Sequence, residues 1–97
     1  MKPVILRPAA EADVEFIHTE YESNQIGLGD RFLARLRKTL ELIERLPELF
    51  GEVIPDVRAA TLGKFPHVVY YTVFPDRVEV LAVIHGSRDE SVWRARV

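Results

Sequence analysis

Two histidines, a lysine and an arginine in the C-terminal third of the chain are the residue types that phosphodiester chemistry uses. His85-Gly86 closes the hydrocarbon run VLAVI, and Arg88 follows two residues later. Lys64, Pro66 and His67 stand just before another apolar run, VVYYTVF. If the two runs pair as antiparallel neighbours, the end of one faces the start of the other, and Lys64, His67, His85 and Arg88 gather at one end of a sheet. RNA cleavage needs a base for the 2′-hydroxyl proton, an acid for the leaving oxygen, and cations for the charge that builds on phosphorus. These four side chains could supply all three.

Each also has a quieter role open to it. A histidine that ends a strand is commonly a hydrogen-bonded structural residue, and His67 sits beside a proline. Arg88, a planar guanidinium after a glycine turn, suits a phosphate or carboxylate, or else an ion pair with Asp89, Glu90 or Glu79. Trp93 fits the core of a short terminal helix, or a stacking platform. Arg31, Arg35 and Lys38 share a helix face, but Glu41 and Glu44 follow closely, so a solvated face accounts for them. His18 and Glu22 stand one helical turn apart, as metal ligands can, yet no third or fourth ligand suggests itself and no metal is expected. Gly27 and Gly29 lack the preceding strand and the spacing of a phosphate loop.

The elements that must position these groups follow from periodicity. Val4-Ile5-Leu6 reads as a short strand, ended by Arg7-Pro8, with the proline suited to a first helical turn. Ala10, Val14, Ile17 and Tyr21 lay one stripe along a helix, widened by Phe16, with Glu11, Asp13 and Glu15 near its positive end. The stretch from Ser23 to Gly29 breaks that pattern. Leu28, Phe32, Leu36, Leu40 and Ile43 then carry a second helix that Pro47 stops, and the pair should fold back as an antiparallel hairpin. A loop through Pro47, Gly51 and Pro55 leads to a weakly alternating stretch from Val57 to Leu62.

Residues 67–74 and 78–85 form a hairpin about a Pro75-Asp76 turn. In its first arm Val68, Tyr70, Thr72 and Phe74 share one face, and Val69, Tyr71 and Val73 the other. Both faces are apolar, while the helical hairpin covers only one. The tail around Trp93 is all that remains for the other, so an exposed apolar patch and a permanent partner are expected.

Length and composition bound the function. The 97 residues make one domain spanning 1–97, with 47% apolar and 29% charged residues, ordinary globular values. No cysteine means no disulfide frame and no thiolate chemistry, which fits a reducing cytoplasm. Three aliphatic residues after Pro3 are too few for a secretory core or a membrane span. The net charge of −2 provides no overall field for a polyanion.

The order of strand, two helices and antiparallel sheet, with the motifs FPHVVYYTV, VEVLAVIHGSRD and a terminal tryptophan, resembles the RelE/ParE family of bacterial type II toxins over essentially the whole chain. The resemblance implies an α+β fold: an N-terminal short strand and antiparallel helical hairpin packed on an antiparallel β-sheet, with a short C-terminal helical turn. The family's ribosome-dependent mRNA nucleases carry two lysines on the first long strand, an arginine on the next, an arginine after the last, and a tyrosine near the C-terminus. Aligned on Tyr71 and Gly86-x-Arg88, this chain has Ala59 and Thr61 at the lysine positions and Val68 at the middle arginine. Only Arg88 remains, and Trp93, near the tyrosine's place, has no phenolic proton.

That deficit disfavours the nuclease reading and agrees with the family's other branch, which resembles ParE, whose members bind DNA gyrase and trap its cleaved complex without being enzymes. No catalytic residue and no cofactor is then expected. The contacts to a target or antitoxin fall to Arg88, His85, Lys64, His67, Arg58 and Trp93. The resemblance further implies a cytoplasmic protein held by a cognate antitoxin, of ribbon-helix-helix type, through which the pair reaches operator DNA. Two alternatives stay open: a RelE-like mRNA endonuclease, and a non-toxic antitoxin-binding scaffold in autorepression.

Overall fold

A proline preset for helix entry and a glycine able to reverse the chain delimit the first half of the molecule. The computed structural model describes residues 2–97. Strand β1 (Val4–Leu6) leads through an extended Arg7 into α1 (Pro8–Asn24), with Pro8 at the helix start. Gly27, at φ 88°, turns the chain into α2 (Leu28–Arg45). Its left-handed backbone is one that glycine adopts without a Cβ penalty. The corner is fastened by Glu22, whose carboxylate accepts the Gly27 N–H at 2.8 Å and the Gly29 N–H at 3.0 Å. Gly29 is where the helices touch: a Cβ there would lie 2.7 Å from the His18 carbonyl oxygen.

The second half supplies β2 (Glu52–Ile54), β3 (Val57–Thr61), β4 (His67–Val73), β5 (Val78–His85) and the short α3 (Ser91–Arg94). The sheet runs β1-β5-β4-β3-β2. It is mixed, because β1 joins β5 in parallel while the other pairs are antiparallel. Tyr70 pairs with Ala82 and Tyr71 with Val80, so Leu81 is an extra residue in the ladder. The bulge re-aims β5: Val78, Val80 and Val83 face the helices, and Leu81, Ala82 and Ile84 face away. Beyond Leu6, β1 no longer shields the β5 edge, and Asp13 takes over by accepting the Val83 N–H at 3.0 Å.

Two cores result. On the helix side Phe32, Leu36, Ile43, Val69, Tyr71 and Val83 pack with Ala10 and Ile17. On the far side Trp93, 3% exposed, stacks on Tyr70 with centroids 4.7 Å apart and planes 14° apart, over Val57, Leu81, Ala82 and Ile84. The tail is tied down by Arg96, which donates to Asp13 and to the Leu81 carbonyl, while Arg7 donates to the Arg96 carbonyl at 2.7 Å. The expectation of an open apolar face on the sheet therefore fails: the chain's own tail covers it. Large apolar side chains remain exposed on β1 (Ile5), on α1 (Phe16), at the helical corner (Ile26), along Leu46, Leu49 and Val53, and at Val97. Among the described residues no helix is long and apolar enough to cross a membrane.

Candidate functional site

The hairpin places His67 directly opposite His85 in the ladder, with ring centroids 5.6 Å apart at 73°. The Gly86 N–H donates to the Pro66 carbonyl at 2.8 Å, fastening the turn after one histidine to the residue before the other. His67 is 8% exposed and lies edge-on to Tyr21 and Phe32. Its Nδ1 has no hydrogen-bond partner among the described residues. Burial, followed by the neighbouring His85, lowers its pKa below the ordinary 6.5, so the ring is held neutral. His85 is exposed, and its Nδ1 accepts the Ser87 N–H at 3.0 Å. Its neutral form therefore carries the proton on Nε2.

Around this pair α1 and the end of β5 enclose a cleft of about 220 Å³, walled by Phe16, Ile17, Asp13 and Ile84, with Arg88 at its rim. A second hollow of about 250 Å³ continues from the same histidines toward Glu20, Tyr21 and Asn24. Arg88 is exposed and makes no ion pair with any of the three acids considered for it. Glu79 is engaged by Arg7 at 2.8 Å and by Arg77. Glu90 faces Arg94 at 3.4 Å, and Asp89 accepts the Ser91 N–H at 2.8 Å. That backbone hydrogen bond holds the Asp89 carboxyl below its usual range. Asp13, the one carboxylate among the described residues of the cleft wall, is taken by Arg96 and the Val83 N–H.

Three of the four residues grouped by sequence thus meet: His67, His85 and Arg88. Lys64 does not. The Gly63 turn, at φ 83°, carries it to a different hollow beside Arg31, Arg35 and Lys38 of α2. Arg58 donates to the Glu48 and Phe50 carbonyls at 3.2 and 2.6 Å, pinning the loop before β2, and Trp93 is core. His18, Glu22 and Asp30 bring one ligand atom each within 4.8 Å of one another, so Asp30 is the third group that spacing within one helix could not reveal. Both Glu22 oxygens are already engaged by backbone N–H groups. Phe16 and Asp13 were missed as wall residues; their only signal was a place on α1, which says nothing of a facing strand end.

The cleft offers one free guanidinium, an exposed imidazole donor and an apolar wall. In-line attack at phosphorus calls for several cations converging on one point. Among the described residues Arg88 is the only lysine or arginine in the cleft wall, and the His67 imidazole there is held neutral. What the arrangement does well is grip an anionic or carbonyl group next to an apolar one.

The sequence profile of the family described as "ParE toxin of type II toxin-antitoxin system, parDE" matches residues 4–90. Among solved structures, a chain of the "Chromosomal ParDE TA system from P. aeruginosa" superposes with a TM-score of 0.66 at 20% identity, covering 88% of this chain and 96% of that one. At that identity the likeness bears on the fold. No curated protein matches the chain at comparable significance.

Proposed function

This chain belongs to the ParE toxin family of type II toxin-antitoxin systems, and on that premise we propose that it arrests growth by seizing a macromolecular target, DNA gyrase first among the candidates. The observation that carries this reading is the composition of the cleft: among the described residues Arg88 is its one lysine or arginine, because Lys64 lies in another hollow and Arg58 is bound to backbone carbonyls. A lone guanidinium recognises; it does not neutralise a pentavalent phosphorus. Arg88 and His85 are the contact residues, with Phe16 as the apolar part of the surface.

A cognate antitoxin of ribbon-helix-helix type holds the toxin in the cytoplasm and links it to operator DNA. The exposed Phe16, Ile26, Leu46 and Leu49 are the kind of surface on which a disordered segment folds as it binds. The endonuclease alternative retains one point in its favour, the two imidazoles 5.6 Å apart.

Controlled expression tests the proposal. Growth arrest with a DNA-damage response, relieved by the antitoxin encoded beside this gene and by Arg88→Ala, is the expected outcome. Harmless expression without antitoxin would favour the autorepression scaffold, and unchanged gyrase supercoiling with the purified chain would remove gyrase as target.

A further inference from the structure

On α1, His18 and Glu22 stand one helical turn apart, and the close approach of α2 adds a third group that this spacing does not contain. His18 Nε2 lies 3.1 Å from the Asp30 carboxylate. The three residues bring one ligand atom each within 4.8 Å of one another. Gly29 permits the approach: a Cβ there would lie 2.7 Å from His18 Cδ2 and 2.9 Å from Glu22 Oε1. Among the described residues no lysine or arginine pairs with Glu22 or Asp30, since the paired cations Arg7, Arg77, Arg94 and Arg96 all serve other acids. Two carboxylates thus meet an imidazole with no cationic side chain to balance them.

We propose that His18, Glu22 and Asp30 form a site for a divalent transition ion of the zinc class, which clasps α1 to α2 at the helical corner. Ligand atoms about 2.0–2.1 Å from a tetrahedral ion stand roughly 3.3 Å from each other. The present His18 to Asp30 separation of 3.1 Å is close to that, so the ion takes the place of their hydrogen bond with little movement. Glu22 supplies the third ligand. Its two oxygens accept one backbone N–H each, from Gly27 and Gly29. A carboxylate oxygen has two lone pairs, so one on each is left for a metal. Those N–H groups then act as the outer hydrogen bonds that orient a ligating carboxylate. Water completes the shell.

Magnesium and calcium fit less well. Both prefer a shell of oxygens, whereas an imidazole ligand suits zinc, copper and nickel. None of the three residues lines the Arg88 cleft, so the site stands apart from the target-binding reading. The chain has no cysteine to compete for the ion, and its exposed His85 is the rival ligand that a test must separate.

Calorimetric titration and thermal melts of the full chain without an affinity tag provide that test, with Zn²⁺ as probe and Mg²⁺ as control. One zinc per chain should bind, and free zinc at tenfold the dissociation constant should raise Tm by roughly 5–10 °C. Mg²⁺ at the same concentration should leave Tm unchanged. His18→Gln and Asp30→Asn should each weaken zinc binding at least about tenfold; Asp30→Asn keeps the side-chain shape at an exposed position, and a melt in EDTA checks that it is folded. Amide shifts on adding zinc should centre on residues 18–30. Absence of binding, undiminished binding to both variants, an equal response to Mg²⁺, or shifts centred on His85 would each overturn the assignment.

Discussion

Among the described residues the Arg88 guanidinium makes no ion pair: Glu79 stands at the far end of β5 with Arg7 and Arg77, Glu90 pairs with Arg94, and Asp89 accepts the Ser91 N–H. Arg88→Ala should therefore leave Tm within about 4 °C of the parent, as exposed unpaired positions do, while abolishing growth arrest; a large fall in Tm would show that Arg88 is structural. His67 behaves oppositely. Its pKa is lowered in the folded state by burial and by His85, so the unfolded chain takes up a proton first as pH falls through about 6.5. Stability is then constant above that pH and declines below it. Thermal melts from pH 7 to 5 should show this fall for the parent and a flatter curve for His67→Phe, which keeps the ring volume without the titration. Equal slopes would exclude His67 as the titrating group. The meeting of His67 and His85 was legible from strand order alone, because antiparallel pairing dictates it. Lys64's departure was not, because a left-handed Gly63 turn sets its direction and periodicity is silent about turns.

The helical corner shows the same division at the scale of elements. Both helices, β4 and β5 were legible, their bounds set by Pro8, Gly27, Pro47 and the Pro75-Asp76 turn. What holds the corner was not: one Glu22 carboxylate accepts two backbone N–H groups across the turn. Glu22→Ala strips both donors of their partner and should cost about 1–2 kcal/mol. In a chain of this length that lowers Tm by roughly 5–15 °C. An unchanged Tm would mean that water replaces the carboxylate fully. Strand β2 escaped the sequence reading although Pro55-Asp56 repeats the dipeptide of the β4 to β5 turn, with Asp56 at φ 69° and its N–H on Glu52. Three residues with two exposed leave too little alternation to read. The parallel placement of β1 and the bulge at Leu81 depend on long-range pairing that local pattern does not encode.

Across the whole molecule, the tail is the piece that changes the account most. Arg96, Asp13 and Arg7 lace it to β5 and α1, and Trp93 seals the far face of the sheet over Tyr70. The two apolar faces of β4 were legible; that a single terminal turn suffices to close one of them was not, because it rests on one tryptophan stacking well. Trp93→Ala should destabilise by about 3 kcal/mol or more and raise binding of a hydrophobic dye as Tyr70 and Leu81 are uncovered. With that face closed, partners are left the exposed apolar side chains at Ile26, Leu46 and Leu49 and two cationic sites, the Arg88 cleft and the cation-lined hollow on α2. Their separation is what argues for capture over cleavage, since cations split between two sites cannot converge on one phosphorus atom. The most direct test is to mix the purified chain with translating ribosomes carrying a defined message and map the message ends. The account predicts an intact message at every codon. Cuts phased to the codon being read, and lost with Arg88→Ala, would contradict it.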